Sequence, residues 1–590
     1  MRRRGSEQAG WLTTMAALLL SACGGGTDSP TPPPVSNLPP APPPVALTKD
    51  EAFRFLNQAT FGATEAEAAR LIALGDATNS YSRWIDAELT KSSSTLLPYV
   101  EAAYPNPVPT GFNIAQLNAP RVEKWFDNSL KGSDQLRQRV AWALSQIFVV
   151  SQVGALQNLP SATADFYDLL ARDALGDYRR LLEDVTLHPA MGVYLSMLGN
   201  QRAVAGTNLR PDENYAREVM QLMSIGLVML NPDGTVPLDA SGQPTPTYDQ
   251  AVIEGFARVF TGWKWACPTT VPTCTFANTR PQLAPVAGYN QVVPMQHYAA
   301  QHETGTKQVL NYPGALPTGA LIPANQSGPR DLQDALDNIA NHPNVAPFLS
   351  KQLIQKLVTS NPPPAYVQRI AAVFNNDGTG RRGNLGAVVR AILLDAQARP
   401  ATSGTAPVAA GKIKEPLLRL TQFWRAYSAQ SASGKSGVAR NFAGGVTAVF
   451  GQGPGLSPSV FNFYSPGYAP PGEIATQGMV APELQLATEY LNTQATNYFW
   501  TQAIGRTITQ APQLNVDDMY ITTSEEIALA ADSEALVNRV ADRLLGSPAR
   551  LSTELKAQTK AQVERSTNVN TRVADAIYFV VTSPEFVLQR

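Results

Sequence analysis

The stretch Leu136-Arg137-Gln138-Arg139-Val140-Ala141-Trp142-Ala143-Leu144-Ser145-Gln146-Ile147-Phe148 decides how this chain is read. Leu136, Val140, Ala143, Leu144, Ile147 and Phe148 recur at the three- and four-residue steps of an α-helix, which predicts one apolar face. The spacing returns in Val252, Phe256, Val259, Phe260 and Trp263, with Glu254 and Arg258 as an i,i+4 pair on the opposite side. Further helical patterns run over about 332–341, 346–359, 365–375, 383–396, 413–428, 483–503, 533–546 and 571–582. Alternating strand patterns are scarce. The expected fold is mainly α, a large multi-helix body over 47–590. Two stretches interrupt it: 264–330, with many prolines and few charges, and 429–480, rich in Gly, Ser and Pro. Both are expected as long irregular loop insertions, and loops of that length are often functional.

Working outward, the 590 residues are 44% hydrophobic, ample for a buried core, with a formal charge of −1. So even a balance argues against a nucleic-acid partner. At the N-terminus, Arg2, Arg3 and Arg4 precede an apolar run, Trp11 to Ala22, too short to span a bilayer. Leu20-Ser21-Ala22-Cys23 resembles the lipobox of bacterial lipoproteins. On that reading residues 1–22 are a signal peptide, and Cys23 is lipidated and becomes the mature N-terminus, holding the protein to a membrane. The alternative is a plain secretory signal with a chance cysteine. Losing residues 1–22 removes three Arg and one Glu and leaves −3. Residues 23–46 form a Pro-rich linker, expected to be a semi-rigid tether. Gly24 after the cysteine resembles the outer-membrane sorting pattern of Gram-negative lipoproteins, which implies a place in the cell envelope. Cys267 and Cys274 are expected to pair as a disulfide, because two thiols without nearby histidines supply half a zinc site.

Of the four histidines, two open an internal echo. His188-Pro189-Ala190-Met191-Gly192-Val193-Tyr194-Leu195-Ser196 matches His342-Pro343-Asn344-Val345-Ala346-Pro347-Phe348-Leu349-Ser350. Each histidine is expected to end one helix, cap its last carbonyls, and let proline start the next. The other two lie in Met295-Gln296-His297-Tyr298-Ala299-Ala300-Gln301-His302-Glu303-Thr304-Gly305-Thr306-Lys307. This run resembles the His-Asp-x-Gly-x-Lys signature of the bacterial family known as domain of unknown function 1800, with Glu303 where Asp is usual. Arg54 to Gly62 is similar to that family's opening Arg-Ala-Thr-Phe-Gly motif, and Asp212 to Glu218 to its Asn-Glu-Asn-Tyr-Ala-Arg-Glu helix. Phe260-Thr261-Gly262-Trp263 matches its Leu-Thr-Gly-Trp, and Ser583-Pro584-Glu585-Phe586 its closing Ser-Pro-Glu-Phe. The resemblance covers nearly everything from residue 48 to the end. One departure is that many members carry Trp-His-x-His where this chain has Val140 to Phe148, so a site built on those histidines cannot operate here. The resemblance implies an exported, largely helical protein without a settled activity. Members are often encoded beside an exported sulfatase-like protein, which makes such a protein a candidate partner.

Three constellations could carry chemistry. On the helix expected to open at Asp212, with that residue as N-cap, Asn214, Arg217, Glu218 and Gln221 fall on one strip. They could bind a sugar, or hold Glu218 as a general base beside Arg217; otherwise they are a structural network or a solvated face. His302 with Glu303 could act as an acid–base pair, while Lys307 is expected to pair with Glu303 or another carboxylate. Glu218, His297 and His302 could in principle form a two-histidine, one-carboxylate metal set. No cofactor is predicted, and a divalent metal is the open alternative. In the loop from Ser457 to Tyr468, the rings of Phe461, Phe463, Tyr464 and Tyr468 alternate with Asn and Ser, which suits stacking on carbohydrate or, alternatively, filling a gap between helices. No Gly-x-Ser-x-Gly elbow, phosphate loop or dinucleotide fingerprint appears. The expected function is a binding or accessory role in extracellular polysaccharide handling. The alternative is a hydrolase of an extracellular glycan or ester, using Glu218 and His302.

Overall fold

The helix Gln135–Leu144 is buried on nearly every side, with Trp142, Val140 and Leu136 beside buried Gln135, Gln138 and Arg139. The apolar stripe is there, but the face expected to be polar is internal too. Its polar side chains must therefore find partners inside the protein, and this requirement shapes the site described below. The computed structural model describes residues 46–77, 79–268, 273–286, 288–399, 410–437, 441–442, 444–508 and 515–589. Cys23, the segment 1–22 and the Pro-rich linker up to residue 45 lie outside the described residues.

Helices dominate, at positions close to those the periodicity predicts: Gly328–Ala340, Val345–Leu357, Pro364–Asn375, Leu385–Leu394, Pro416–Ala426, Ser533–Leu545 and Val569–Val581. The pattern over 483–503 is broken instead. A 3-10 turn at Pro482–Leu486 is followed by an α-helix, Glu489–Tyr498, and a π-helical stretch, Phe499–Ile504. The restart is local chemistry, since Thr488 Oγ1 accepts the Leu491 N–H at 3.2 Å and so caps a new helix.

Among the described residues, the strands are three antiparallel pairs of two residues each: Trp263–Lys264 with Gln296–His297, Lys307–Gln308 with Leu321–Ile322, and Lys412–Ile413 with Leu588–Gln589. The first two fasten the 264–330 region to the helices. Cys267 and Cys274 in the same region are bonded, with Cα atoms 5.7 Å apart. No helix among the described residues is long and apolar enough to cross a membrane.

An aromatic cluster forms the centre. Trp125 meets Phe61 at 5.3 Å, and both Phe126 and Trp142 at 5.1 Å between ring centroids. Phe463 lies nearly parallel to Trp142 at 6.4 Å, so this ring of the 457–468 loop is core.

The paired His-Pro joints differ from expectation in direction. Helix Tyr178–Leu187 ends before His188 and Pro189–Tyr194 begins after it, as the sequence implies. However, His188 Nδ1 accepts the Ala190 N–H at 3.0 Å, and His342 Nδ1 accepts the Asn344 N–H at 3.1 Å. Each ring caps forward, towards the helix that starts. An unprotonated imidazole nitrogen is an acceptor, and a helix start offers spare N–H groups.

Candidate functional site

The signature histidine and lysine close on a carboxylate that the sequence did not single out. Helix Gln250–Val259 ends in Phe260-Thr261-Gly262, where Thr261 Oγ1 donates to the Arg258 carbonyl at 2.7 Å and accepts the Glu303 N–H at 2.9 Å. His302 Nδ1 lies 3.0 Å from the Thr261 carbonyl oxygen, and its Nε2 lies 2.8 Å from Asp331 Oδ2. Lys307 Nζ reaches the same Asp331 oxygen at 2.7 Å and donates to the Gly305 carbonyl at 3.0 Å. His302, Lys307 and Asp331 are all buried, so this is an internal ionic clasp rather than an open site. Lys307 thus takes Asp331 instead of Glu303, whose side chain turns back to accept the Gly305 N–H at 3.4 Å.

Two close approaches make the clasp fit. A Cβ at Gly255 would lie 1.8 Å from the Gln308 carbonyl oxygen, so only glycine lets this helix lie against the Lys307–Gln308 strand. A Cβ at Gly328 would lie 2.0 Å from His297 Nε2, so glycine also makes room for that ring at the start of helix Gly328–Ala340. His297 packs beside His302 at 5.1 Å and Trp263 at 5.0 Å.

Burial, helped by the neighbouring His302, pushes His297 down to about 4 against the pull of Asp331. Burial with Arg382 nearby does the same to His342, also down to about 4. Both rings are held neutral in the fold and gain protons more readily once unfolded. Their share of stability is complete above the ordinary value of 6.5 and is lost as pH falls from there towards about 4. Melting temperature should therefore drop across that window, and a His297→Gln/His342→Gln double variant should show a flatter profile. An unchanged slope in the double variant would sink this account.

The Glu218 strip is only partly assembled. The helix is Asn214–Gln221, and Asp212 Oδ1 accepts the Asn214 N–H at 2.8 Å, so Asp212 forms a turn ahead of the helix instead of capping it. Asn214 is exposed, and Arg217 pairs with Glu213 at 3.1 Å as an ordinary i,i+4 pair. Glu218 is buried; burial pushes its carboxyl up, opposed by Arg217, and its Oε2 has no hydrogen-bond partner among the described residues. No hydrogen bond or ion pair among the described residues joins Glu218 to His302. The suggested Glu218, His297 and His302 metal set is not brought together, since no three His, Cys, Asp or Glu side chains among the described residues group so as to hold a metal ion.

Gln221, at the end of the strip, reaches something larger. It lines a cleft of about 920 Å³ together with Gln146, Gln352, Gln355, Asn361 and Asn462, a wall of side-chain amides. Leu222, Leu227, Phe348 and Met479 supply apolar surface. Of the four rings proposed for stacking, Phe461 alone faces this space well exposed, at 57%. Tyr464 also lines the cleft but is 2% exposed and lies under the Lys356 ammonium, 4.0 Å from its ring centre. Phe463 is core, and Tyr468 is half-buried outside the lining residues.

Beneath the cleft lies a buried network that sequence reasoning missed. Lys356 Nζ donates to Gln146 Oε1 at 2.9 Å, and Gln146 Nε2 donates to Glu415 Oε2 at 3.1 Å. The same Glu415 oxygen accepts from Trp142 Nε1 at 2.8 Å and Gln452 Nε2 at 2.7 Å. Lys412 Nζ lies 2.9 Å from Glu483 Oε1 and 3.9 Å from Glu415 Oε1. Lys412 Nζ and Arg139 Nη2 both donate to the Lys356 carbonyl, at 3.0 and 2.7 Å. Burial pushes Lys356 down to about 8, partly offset by Glu415. Burial would raise Glu415, but Lys412, Arg139 and Lys356 outweigh it and hold the carboxyl below its usual range.

Fold and site together define a mainly α-helical protein with an internal ionic clasp and a separate amide-walled cleft. Over residues 54–588 the chain matches the family described as "Protein of unknown function (DUF1800)", and it belongs to that family. No curated protein and no solved structure matches it. The segment that departs from Trp-His-x-His bears on the cleft, because Trp142 and Gln146 both bond to Glu415 beneath it.

Proposed function

We propose that this chain is a binding or accessory protein in extracellular polysaccharide handling, with the amide-walled cleft as its sugar site. The observation that carries this reading is exposed Phe461 lining the same cleft as a set of side-chain amides. A sugar ring offers C–H groups to an aromatic face and hydroxyls to amides, which both donate and accept. Two of these amides have capacity to spare: Gln352 Nε2 and Asn462 Oδ1 are buried with no partner among the described residues. A cleft of about 920 Å³ is large enough for a short stretch of glycan. The same proposal includes a lipid anchor at Cys23 in the outer membrane and an exported sulfatase-like partner. The hydrolase reading has less support, because it needs Glu218 and His302 at one bond while both His302 nitrogens already face protein oxygens.

The test is retardation of the full-length chain in native gels cast with soluble polysaccharides: dextran, xylan, polygalacturonate and their derivatives. Phe461→Ala should weaken retardation about tenfold by removing one stacking face. Because the ring is 57% exposed, stability should stay within about 0.5 kcal/mol. Retardation unchanged by Phe461→Ala and by Gln221→Ala would take the sugar site away from this cleft.

A further inference from the structure

The charge around the cleft says more than its amides do. Its lining includes two lysines, Lys351 and Lys356, and no Asp or Glu. Among the described residues Lys351 has no ion pair, and no carboxylate lies within ion-pair reach of the Lys356 ammonium, whose hydrogen bond goes to a neutral amide. The imbalance continues underneath, where Arg139, Lys356 and Lys412 stand against only Glu415 and Glu483, so the buried cluster carries one positive charge in excess. Excess buried charge is costly unless something balances it, and the side open to a counter-charge is the cleft. We propose that the cleft selects an anionic glycan, a chain whose sugars bear carboxylate or sulfate groups, with Lys356 at the floor and Lys351 at the rim as the groups that read the charge.

This inference rests on the cleft being a sugar site, and the experiment keeps the two apart. The full-length chain is run in gels containing polygalacturonate or its fully methyl-esterified form, and dextran sulfate or plain dextran. The expected result is at least about tenfold tighter binding to the charged member of either pair. The polygalacturonate pair reports carboxylate recognition and the dextran pair sulfate. Lys356→Met should abolish that preference. Because this substitution cancels the excess charge, the fold should hold. Lys351→Met, at an exposed position, carries the same test if it does not.

A third readout is pH. Lys356 faces Arg139, Lys412, Glu415, Glu483 and the ring of Tyr464, and it loses its charge near 8. Affinity for the charged glycan should therefore fall about tenfold between pH 7 and 9, while neutral-glycan affinity stays level. Equal binding of charged and neutral members, or a preference untouched by both lysine variants, overturns the inference and leaves the sugar site standing. Retardation by none of the four polymers overturns both.

Discussion

Asp331→Asn is expected to destabilise the protein by about 3–5 kcal/mol, the penalty for stranding a buried charge. The substitution keeps the shape of the side chain but removes the only negative charge on the clasp, where one oxygen serves His302 at 2.8 Å and Lys307 at 2.7 Å. Lys307 is 0% exposed, so its ammonium cannot turn to water for compensation. With an unfolding entropy of about 2.1 cal/mol/K per residue, the loss amounts to a fall in Tm of about 3–4 °C. Adding Lys307→Met should recover most of it, because removing both members of a buried pair costs far less than removing one. None of the clasp residues lines the cleft, so glycan retardation below the melting point should be unaffected. A Tm within about 0.5 °C of wild type would show that the clasp is not closed as described.

Glu415→Gln should cost a similar amount, about 3–5 kcal/mol, again by stranding buried positive charge. It leaves Arg139, Lys356 and Lys412 against Glu483 alone, all within the buried network. The Gln oxygen can still accept from Trp142 and Gln452, so the loss is mainly one of charge. Here the cleft should suffer too, since Gln146 and Lys356 form its floor and hang from Glu415. The folded-state carboxyl is held below its ordinary value of 4.5, so its stabilisation is full above that pH and disappears as pH falls through the lower, folded value. The gap between wild type and variant should therefore close in acid. A gap that persists would mean that shape rather than charge is at stake.

The fold was legible because helical spacing is a local signal. Val345–Leu357 can be read from Leu349, Leu353 and Leu357 alone, all of which are fully buried. Joints were less legible. Pro482 and Thr488 break a continuous apolar pattern, and only cap geometry shows that one helix stops and another starts. The candidate site was read unevenly. Gln221, Phe461 and Tyr464 were singled out for separate reasons and meet in one cleft, though 240 residues separate Gln221 from Phe461. Asp331 was overlooked because an acid in the first turn of a helix ordinarily faces water and complements the dipole. Lys356 had a faint signal, sitting three residues after Leu353 on the apolar side of its helix. Lys412, Glu415 and Glu483 had none, because pairing across the chain has no periodicity.

The network described beneath the cleft joins helix Gln135–Leu144, helix Val345–Leu357, the Lys412–Ile413 strand, Glu415 and the turn at Glu483 around a fixed balance of charge. A change of sign or charge at one of these positions is tolerable only with a matching change at another. Over evolutionary time they are expected to behave as one inherited character, drifting together or not at all, while cleft amides that make no bond to the network, such as Gln221 and Asn361, are under no such constraint.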